Sequence, residues 1–225
     1  MKNITFRLSD LHQHGDAFFG FLRLRKHFFV DELGWDIPHD NDMEMDQYDN
    51  PTAHYSLVVH EGRVVGGART MPTDARWGQH TYMLRDAFES KLDDIPADVM
   101  PSLVKSRDVW ECTRLVVSDE LRTQADRSHC LWLIVNGLVH EAEVAGAREM
   151  ISLSPLSLVR ALRQLGFAAR KIGQAYKNEG DGRRYAVLSM PAQMSLPAGQ
   201  VGVPSGVPAA SRQHARPSIL HAPAA

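Results

Sequence analysis

The amino-acid sequence predicts an α/β sandwich with a mixed sheet. A helical periodicity lies near the N-terminus, a meander of strands follows it, and strands then alternate with helices. Strands joined by tight turns pair antiparallel, whereas strands joined through a helix pair in parallel, so one sheet of mixed direction accommodates both patterns.

The first half of the chain is predicted to begin with a helix and to continue with three strands. Apolar residues recur at spacings of three and four over residues 16–33, which predicts the helix. Two runs of strand-forming residues, 54–60 and 64–71, flank a short turn and predict a hairpin. The run VWECTRLVV at 109–117 is rich in β-branched and aromatic residues and predicts a further strand.

The second half alternates between the two kinds of element. A largely apolar helix is predicted first, and a second helix ends at Gly166, a residue type favoured just after a helix terminus. In chain order we predict a helix at 129–145, a strand at 150–154, a helix at 156–165, and strands near 170–176 and 184–190.

The composition changes at residue 191. Residues 191–225 hold six of the 12 prolines and contain no aromatic or acidic side chain. Proline at that density opposes both helix and sheet, and the apolar surface is too small to offset the entropy of ordering. We therefore expect one folded domain at residues 1–190 and a disordered tail at 191–225.

Charge and composition exclude several classes of protein. The formal net charge is −2 over 225 residues, which argues against a general nucleic-acid binder. No apolar run approaches the 18 or so residues of a membrane-spanning helix, and the N-terminus lacks the apolar core of a secretory signal. Two cysteines are too few for a disulfide scaffold. A soluble, cytoplasmic protein is expected.

A few charges lie on otherwise apolar elements. Arg25 falls on the apolar face of the first predicted helix, where it either extends to solvent at the edge of the core or binds a partner. Arg69 follows Gly66 and Gly67 on a strand, and two glycines there permit close approach of a ligand or a neighbouring element.

An acidic stretch at residues 40–49 follows Trp35, and its carboxylates recur every two or three positions. A calcium loop of the EF-hand type needs glycine at its sixth position, where this stretch has Met45. Two interpretations remain open. The stretch is either a solvated acidic loop or a site for an onium cation, held between carboxylates and an aromatic face.

Glu111 and Arg114 interrupt the predicted strand at 109–117. Side chains three residues apart on a regular strand point to opposite faces of the sheet. The two charges therefore serve different partners, or a β-bulge redirects one of them to the face of the other.

These residues together resemble the acyl-homoserine-lactone synthase family, the LuxI-type autoinducer synthases. The resemblance covers about residues 15–190, and many members have serine where this chain has Thr113. It is carried by four spaced patterns, namely Arg25-x3-Phe29-x5-Trp35, Glu44-x-Asp46-x-Tyr48-Asp49, Gly66-x2-Arg69 and Trp110-Glu111-x-Thr113-Arg114.

The resemblance implies a fold like that of the GCN5-related N-acyltransferases, whose fourth strand carries a bulge and separates from the fifth. It implies synthesis of an N-acyl-L-homoserine lactone from S-adenosylmethionine and an acyl thioester of acyl carrier protein or coenzyme A, with release of methylthioadenosine. S-Adenosylmethionine is consumed, so no cofactor is expected. A monomer or weak dimer is expected, with neither nucleic acid nor membrane insertion.

The resemblance also implies residue roles. Glu111 is the first candidate for the base that accepts a proton from the substrate amine, and Asp46 is the second. Ser152 stands where some members use threonine to contact a 3-oxo group. The predicted substrate-binding residues are Arg25, Phe29, Trp35, Asp49, Arg69, Thr113, Arg114 and Ser152. The residues predicted to face an acidic carrier protein are Arg122, Arg127, Arg160, Arg163, Arg170 and Lys171.

Two other functions remain open at this point. An N-acyltransferase of the same fold would acylate another amine without closing a lactone, and it would release no methylthioadenosine. A non-catalytic module that senses acyl groups or nucleotides would have no need for a full set of inward-facing charges.

Overall fold

The computed structural model describes residues 1–193. Most of the predicted tail, residues 194–225, lies outside the described residues. The strands are β1 (Lys2–Arg7), β2 (His54–His60), β3 (Arg63–Pro72), β4 (Val109–Val117), β5 (Glu149–Pro155), β6 (Arg170–Lys171), β7 (Tyr176–Lys177) and β8 (Arg184–Pro191). The helices are α1 (Ala17–Arg25), α2 (Met83–Phe88), α3 (Gln124–Val144) and α4 (Ser157–Gln164), with a π-helical segment at Lys26–Glu32 and 3-10 turns at Leu8–Gln13 and Ala97–Val99.

The described strands form one mixed sheet. Its order is β1-β2-β3-β4-β5-β8-β6, and β7 pairs with β8. All pairs are antiparallel except β4 with β5, which is parallel and is connected through α3. The mixed sheet is therefore confirmed.

Most predicted elements are present. The predicted helix at 16–33 is α1 continued by the π-helical segment, and the strands at 54–60, 64–71 and 109–117 are β2, β3 and β4. α3 begins five residues earlier than predicted, because the Thr123 hydroxyl accepts the Asp126 amide (3.0 Å) and caps the helix there. The single strand predicted near 170–176 is wrong, since two short strands, β6 and β7, occupy that stretch.

The helices cover both faces of the sheet, and β3 lies between α1 and α3. A Cβ atom built on Gly67 would lie 2.9 Å from the Phe21 ring of α1, whereas one built on Gly66 would lie 2.7 Å from the Cys130 sulfur of α3. Neighbouring residues of a strand point to opposite faces. The two glycines therefore allow a close approach of helices on the two faces. No helix of residues 1–193 is long and apolar enough to cross a membrane.

Gly67→Ala is expected to lower the free energy of unfolding by about 1–3 kcal/mol, the usual cost of overpacking a filled core. The new methyl group would lie 2.5 Å from the Leu57 side chain as well as 2.9 Å from Phe21. Urea denaturation of the variant and the parent measures the difference. An unchanged denaturation midpoint would show that α1 and β3 are packed loosely enough to accommodate the methyl group.

A β-bulge and a strand separation shape the centre of the sheet. Gly67 pairs with Val116 but Arg69 pairs with Thr113, so two residues of β4 face one residue of β3. Arg114 lies in this bulge with a φ of 56°, a left-handed conformation uncommon for a residue other than glycine. β4 and β5 pair only between residues 109–111 and 149–151, and beyond that point they separate. The bulge and the separation are both as the family resemblance implies.

Candidate active site

A cavity of about 1170 Å³ opens where β4 and β5 separate. Its walls include residues 112–117 of β4 and 150–155 of β5. Phe29 and Trp35 line it on the face of the sheet that α1 covers, and Leu131, Val135 and Leu138 of α3 line it on the opposite face. The cavity therefore crosses the sheet, and side chains from both faces line it.

The ten predicted site residues divide into two groups. Those that line the cavity are Phe29, Trp35, Asp46, Thr113, Arg114 and Ser152. Those that are buried beside it are Arg25, Asp49, Arg69 and Glu111. The structure thus brings all ten into one region around the strand separation.

Arg25 is fully buried and does not extend to solvent. Its guanidinium donates to both oxygens of Asp49, at 2.8 and 2.9 Å, and its Nε donates to Glu44 at 2.5 Å. The interpretation that Arg25 binds a partner is therefore correct, and the interpretation that it extends to solvent is wrong. The partner is a pair of carboxylates from the acidic stretch.

Arg69 is the second buried arginine of the cluster. It donates to both oxygens of Asp46, at 2.6 and 3.0 Å, and its Nη1 lies 2.8 Å from Asp49. Its Nε donates to the Thr113 hydroxyl at 3.1 Å. These bidentate contacts are among the strongest that arginine and carboxylate groups form.

Arg114 completes the cluster and also faces the cavity. Its guanidinium donates to Glu44 at 3.1–3.2 Å, and its Nη2 lies 2.9 Å from Asp46. The side chain keeps 10% of its surface exposed, whereas those of Arg25 and Arg69 keep none. The bulge turns Arg114 toward these carboxylates.

Three arginines and three carboxylates thus form a neutral, buried ion cluster, which we call the arginine–carboxylate cluster. Its members are Arg25, Arg69, Arg114, Glu44, Asp46 and Asp49. Burial raises the pKa of Asp46, but Arg69 and Arg114 outweigh that effect and hold it well below its usual range. Burial lowers the pKa of Arg25, but Asp49 and Glu44 outweigh that effect and raise the pKa above its usual value. Asp46 and Arg25 therefore stay charged.

Glu111 lies on the same face of the sheet as Arg114 but has different partners. Its two carboxylate oxygens each accept one backbone N–H, from Met83 and Leu84 at the start of α2, both at 2.8 Å. Burial raises the pKa of Glu111 to about 7, and the two amides oppose that shift. Glu111 itself does not line the cavity, but Met83, whose amide binds the carboxylate, and Cys112, the next residue of β4, both do.

An aromatic wall closes the cavity on the α1 face. The rings of Phe29 and Trp35 stack with centroids 5.0 Å apart, and the Arg114 guanidinium lies 5.5 Å from the Phe29 centroid. The Trp35 amide donates to the Phe29 carbonyl at 3.0 Å as the π-helical segment ends. That wider backbone turn brings the two rings together, and π-helical turns are frequent at functional sites.

The opposite end of the cavity is apolar. Leu131, Val135 and Leu138 of α3 face Leu158 and Leu162 of α4 there. Two hydroxyl groups of β5 also line the cavity, those of Ser152 and Ser154, which lie 3.0 Å apart.

All six basic residues predicted to face a carrier protein are exposed, and Arg127 lines the cavity.

Two parts of the site had no role predicted from the sequence, although Glu44 belongs to one of the patterns that carry the family resemblance. Glu44 is fully buried and pairs with two arginines. Its alternation with Asp46 was visible in the acidic stretch. The hairpin between β7 and β8 lines the cavity through residues 176–180, 183 and 185. Its sequence, NEGDGR, has only the composition of a turn.

A model of the autoinducer synthase family matches residues 11–195. This chain belongs to the autoinducer synthase family. The acyl-homoserine-lactone synthase of Acinetobacter nosocomialis is 29% identical over 166 residues, which cover 71% of this chain and 85% of that protein. The chain is accordingly an enzyme, an acyl-homoserine-lactone synthase with acyltransferase chemistry.

Solved structures agree on the fold. TofI, solved in a ternary complex with an inhibitor and MTA, matches 85% of this chain and 92% of its own, with a TM-score of 0.64 and 26% identity. An N-acetyltransferase-like protein from Lactobacillus plantarum matches with a TM-score of 0.51 and 14% identity over 85% of this chain and 98% of its own. That likeness concerns the fold alone. It confirms the prediction of a fold like that of the GCN5-related N-acyltransferases.

Proposed function

We propose that this enzyme joins the α-amine of S-adenosylmethionine to the acyl group of a thioester and then closes the lactone with release of methylthioadenosine. The observation that carries the proposal is the single cavity that crosses the sheet. One end has a guanidinium and an aromatic wall, and the other end is apolar. These ends suit a charged sulfonium substrate and an acyl chain, respectively.

The acyl thioester would occupy the gap between the strands. Within the described residues, β5 pairs with β4 only as far as Glu111, so the following backbone edge of β4 is open to a ligand. Pantetheine carries amide groups that can pair with such an edge, and the acyl chain would then extend between α3 and α4. Backbone N–H groups of β4 would stabilise the oxyanion that forms at the thioester carbonyl.

The substrate carboxylate is assigned to Arg114, because this is the arginine of the cluster that faces the cavity. Arg25 and Arg69 are committed to Asp46 and Asp49, so their role is to hold those carboxylates. Phe29 and Trp35 would pack against the sulfonium and adenosine. Asp46 lines the cavity beside these rings and would lie close to the sulfonium.

Amine deprotonation is assigned to Glu111. A carboxyl group with a pKa of about 7 accepts a proton at neutral pH far more readily than Asp46, whose pKa is held low. The proton passes from the ammonium to Glu111, directly or through water. The free amine attacks the thioester carbonyl, the amide forms, and the thiol of the carrier leaves with a proton. The substrate carboxylate then attacks the methionine side-chain carbon that is bonded to sulfur. The bond between that carbon and sulfur breaks, and its electron pair leaves with methylthioadenosine.

We further propose that this chemistry needs no cofactor, since the sulfonium is already an activated leaving group. The acyl donor is acyl carrier protein or coenzyme A, and Ser152 would contact a 3-oxo group where the acyl chain has one. The exposed basic residues near α3 and α4 would receive an acidic carrier protein, so its KM should rise with salt. Two free thiols, Cys112 and Cys130, fit the cytoplasm, and we expect a monomer or weak dimer.

Mass spectrometry of the organic extract of cells that express this chain tests the proposal. We expect one N-acyl-homoserine lactone, or a narrow series, absent from cells with the empty vector. Extracts without any lactone, when a known synthase is active in the same cells and several acyl donors are available, would contradict it. An acylated amine without lactone would favour the N-acyltransferase alternative.

A further inference from the structure

The hairpin between β7 and β8 reaches the aromatic wall of the cavity through one carboxylate. Asp181 lies at the tip of this hairpin, 146 residues from Trp35 in the chain. Its Oδ2 accepts the indole N–H of Trp35 at 3.0 Å and the hydroxyl of Tyr185 at 2.6 Å. The same carboxylate therefore joins the hairpin to a predicted substrate-binding residue.

Asp181 is itself held in place by the hairpin. Its Oδ1 accepts the Arg183 amide at 2.9 Å, and its own amide donates to the Asn178 side chain at 3.2 Å. Gly182 has a φ of 69°, which lets the tip fold back on itself. The carboxylate is thus presented to Trp35 in a fixed position.

The electrostatics keep Asp181 an acceptor. Burial raises the pKa of its carboxyl group, but the hydrogen bonds from Tyr185, the Arg183 amide and Trp35 outweigh that effect and lower it. An ionised carboxylate only accepts hydrogen bonds, so it can serve the indole and the phenol at once.

A continuous set of contacts leads from Asp181 to the arginine–carboxylate cluster. Asp181 binds the Trp35 indole, Trp35 stacks on Phe29, and Phe29 lies below the guanidinium of Arg114. Arg114 in turn contacts Glu44 and Asp46. The orientation of the indole therefore bears on the position of the ring and the guanidinium that face the substrate.

We propose that Asp181 is a positioning residue: by accepting the Trp35 indole N–H, it holds the aromatic wall in the orientation that receives the sulfonium and adenosine of S-adenosylmethionine. The inference rests on the proposed function for its substrate. It makes the hairpin tip, far from the other site residues in sequence, a determinant of S-adenosylmethionine binding and not of acyl-donor binding.

The test compares Asp181→Ala with Asp181→Asn, which keeps an oxygen that can accept the indole N–H. We expect Asp181→Ala to raise the KM for S-adenosylmethionine by about tenfold, as loss of a hydrogen bond to a charged group commonly does, with the KM of the acyl donor unchanged. Asp181→Asn should stay within about twofold to threefold of the parent. Asp108→Ala, at an exposed carboxylate before β4 and outside the cavity lining, is the matched control and should behave as the parent.

A double-mutant cycle with Trp35→Phe identifies the contact. Trp35→Phe keeps a ring on Phe29 but removes the indole N–H, so Asp181→Ala should have no further effect on KM in that background. Because Trp35→Phe leaves the hairpin intact, it also tests the contact if Asp181→Ala does not fold. Additive effects would overturn the proposal, and so would equal losses in Asp181→Ala and Asp181→Asn.

A readout without turnover separates this inference from the proposed function. Acrylamide quenching of tryptophan fluorescence should increase in Asp181→Ala relative to the parent, and the increase should disappear in the Trp35→Phe background. Unchanged quenching would overturn the inference even in an active enzyme. If the parent makes no lactone, the proposed function is contradicted. A higher quenching in Asp181→Ala than in the parent would still establish the contact between Asp181 and Trp35 in that case.

Discussion

Glu111→Gln is expected to lower kcat at least about 100-fold while leaving the KM of both substrates within a few-fold of the parent. Loss of a positioned general base commonly costs about 10²–10⁴ in rate. The side chain is buried, lies beside the cavity, and has a pKa raised to about 7. Steady-state kinetics with S-adenosylmethionine and an acyl thioester measure the effect.

The pH profile gives a second readout of the same group. A base must be ionised to accept a proton, so kcat/KM of the parent should rise as the pH passes through about 7, and Glu111→Gln should lose that limb. The folded protein also binds this proton more tightly than the unfolded chain does. Ionising Glu111 therefore lowers the stability of the parent as the pH rises from about 4.5 to about 7, and the variant should lack this slope.

Glu89→Gln is the matched control for this substitution. Glu89 follows the C-terminus of α2, lies at the surface, and pairs with Arg85 and Lys91. Its loss should leave kcat unchanged. Near-parental turnover of Glu111→Gln at neutral pH would remove Glu111 as the base and return attention to Asp46.

Arg69→Met is expected to lower the free energy of unfolding by about 3–5 kcal/mol, the typical cost of removing one partner from a buried ion pair. Asp46 and Asp49 would each lose a contact shorter than 3 Å with a guanidinium that is fully buried. Methionine fills much of the volume, so the loss reports the uncompensated charges and not a cavity. Urea denaturation at pH 7 measures it.

The direction of the pH dependence distinguishes charge from packing. The pKa values of Asp46 and Asp49 are lowered in the folded protein, so these carboxylates stabilise the parent above about pH 4 and lose that contribution as the pH falls. In Arg69→Met, protonation of the same carboxylates removes the unpaired buried charges and so reduces the loss of stability. The difference in stability between parent and variant should therefore shrink from pH 7 toward pH 4.

The surface pair of Arg63 and Glu120 provides the control. Its side chains are 67% and 50% exposed, and exposed pairs contribute at most about 1 kcal/mol. Arg63→Ala should accordingly change the unfolding midpoint little. Equal losses from Arg63→Ala and Arg69→Met would contradict the account of a buried, tightly coupled cluster.

Local patterns in the sequence were sufficient for most of the sheet but not for its edges. β2 and β4 are runs of β-branched and aromatic residues. The three-residue spacing of Glu111 and Arg114 allowed a bulge as one of two explanations, and the family resemblance implied it. β1 is short, alternates with polar residues, and pairs with β2 some 50 residues away, so little in its own sequence marks it. α2 has only six residues, too few for a helical periodicity.

Local sequence patterns also predict only part of the site. A charge on an apolar element needs a partner or access to solvent, and this requirement singled out Arg25 without choosing between the two. Arg69 was singled out by the glycines before it, and the family resemblance was needed to place both residues in the site. The identity of each partner depends on tertiary structure. Glu44 meets Arg114 across 70 residues, and Asp181 meets Trp35 across 146. No local pattern encodes contacts of that length.

Product stoichiometry with the purified chain tests the central claim most directly. The protein is incubated with S-adenosylmethionine and, in parallel, a panel of acyl-coenzyme A and acyl carrier protein thioesters, and mass spectrometry quantifies lactone and methylthioadenosine. We predict that one donor series yields the two products in equal amounts. An N-acylated product without methylthioadenosine, or no product with any donor, would contradict lactone synthesis by this cavity.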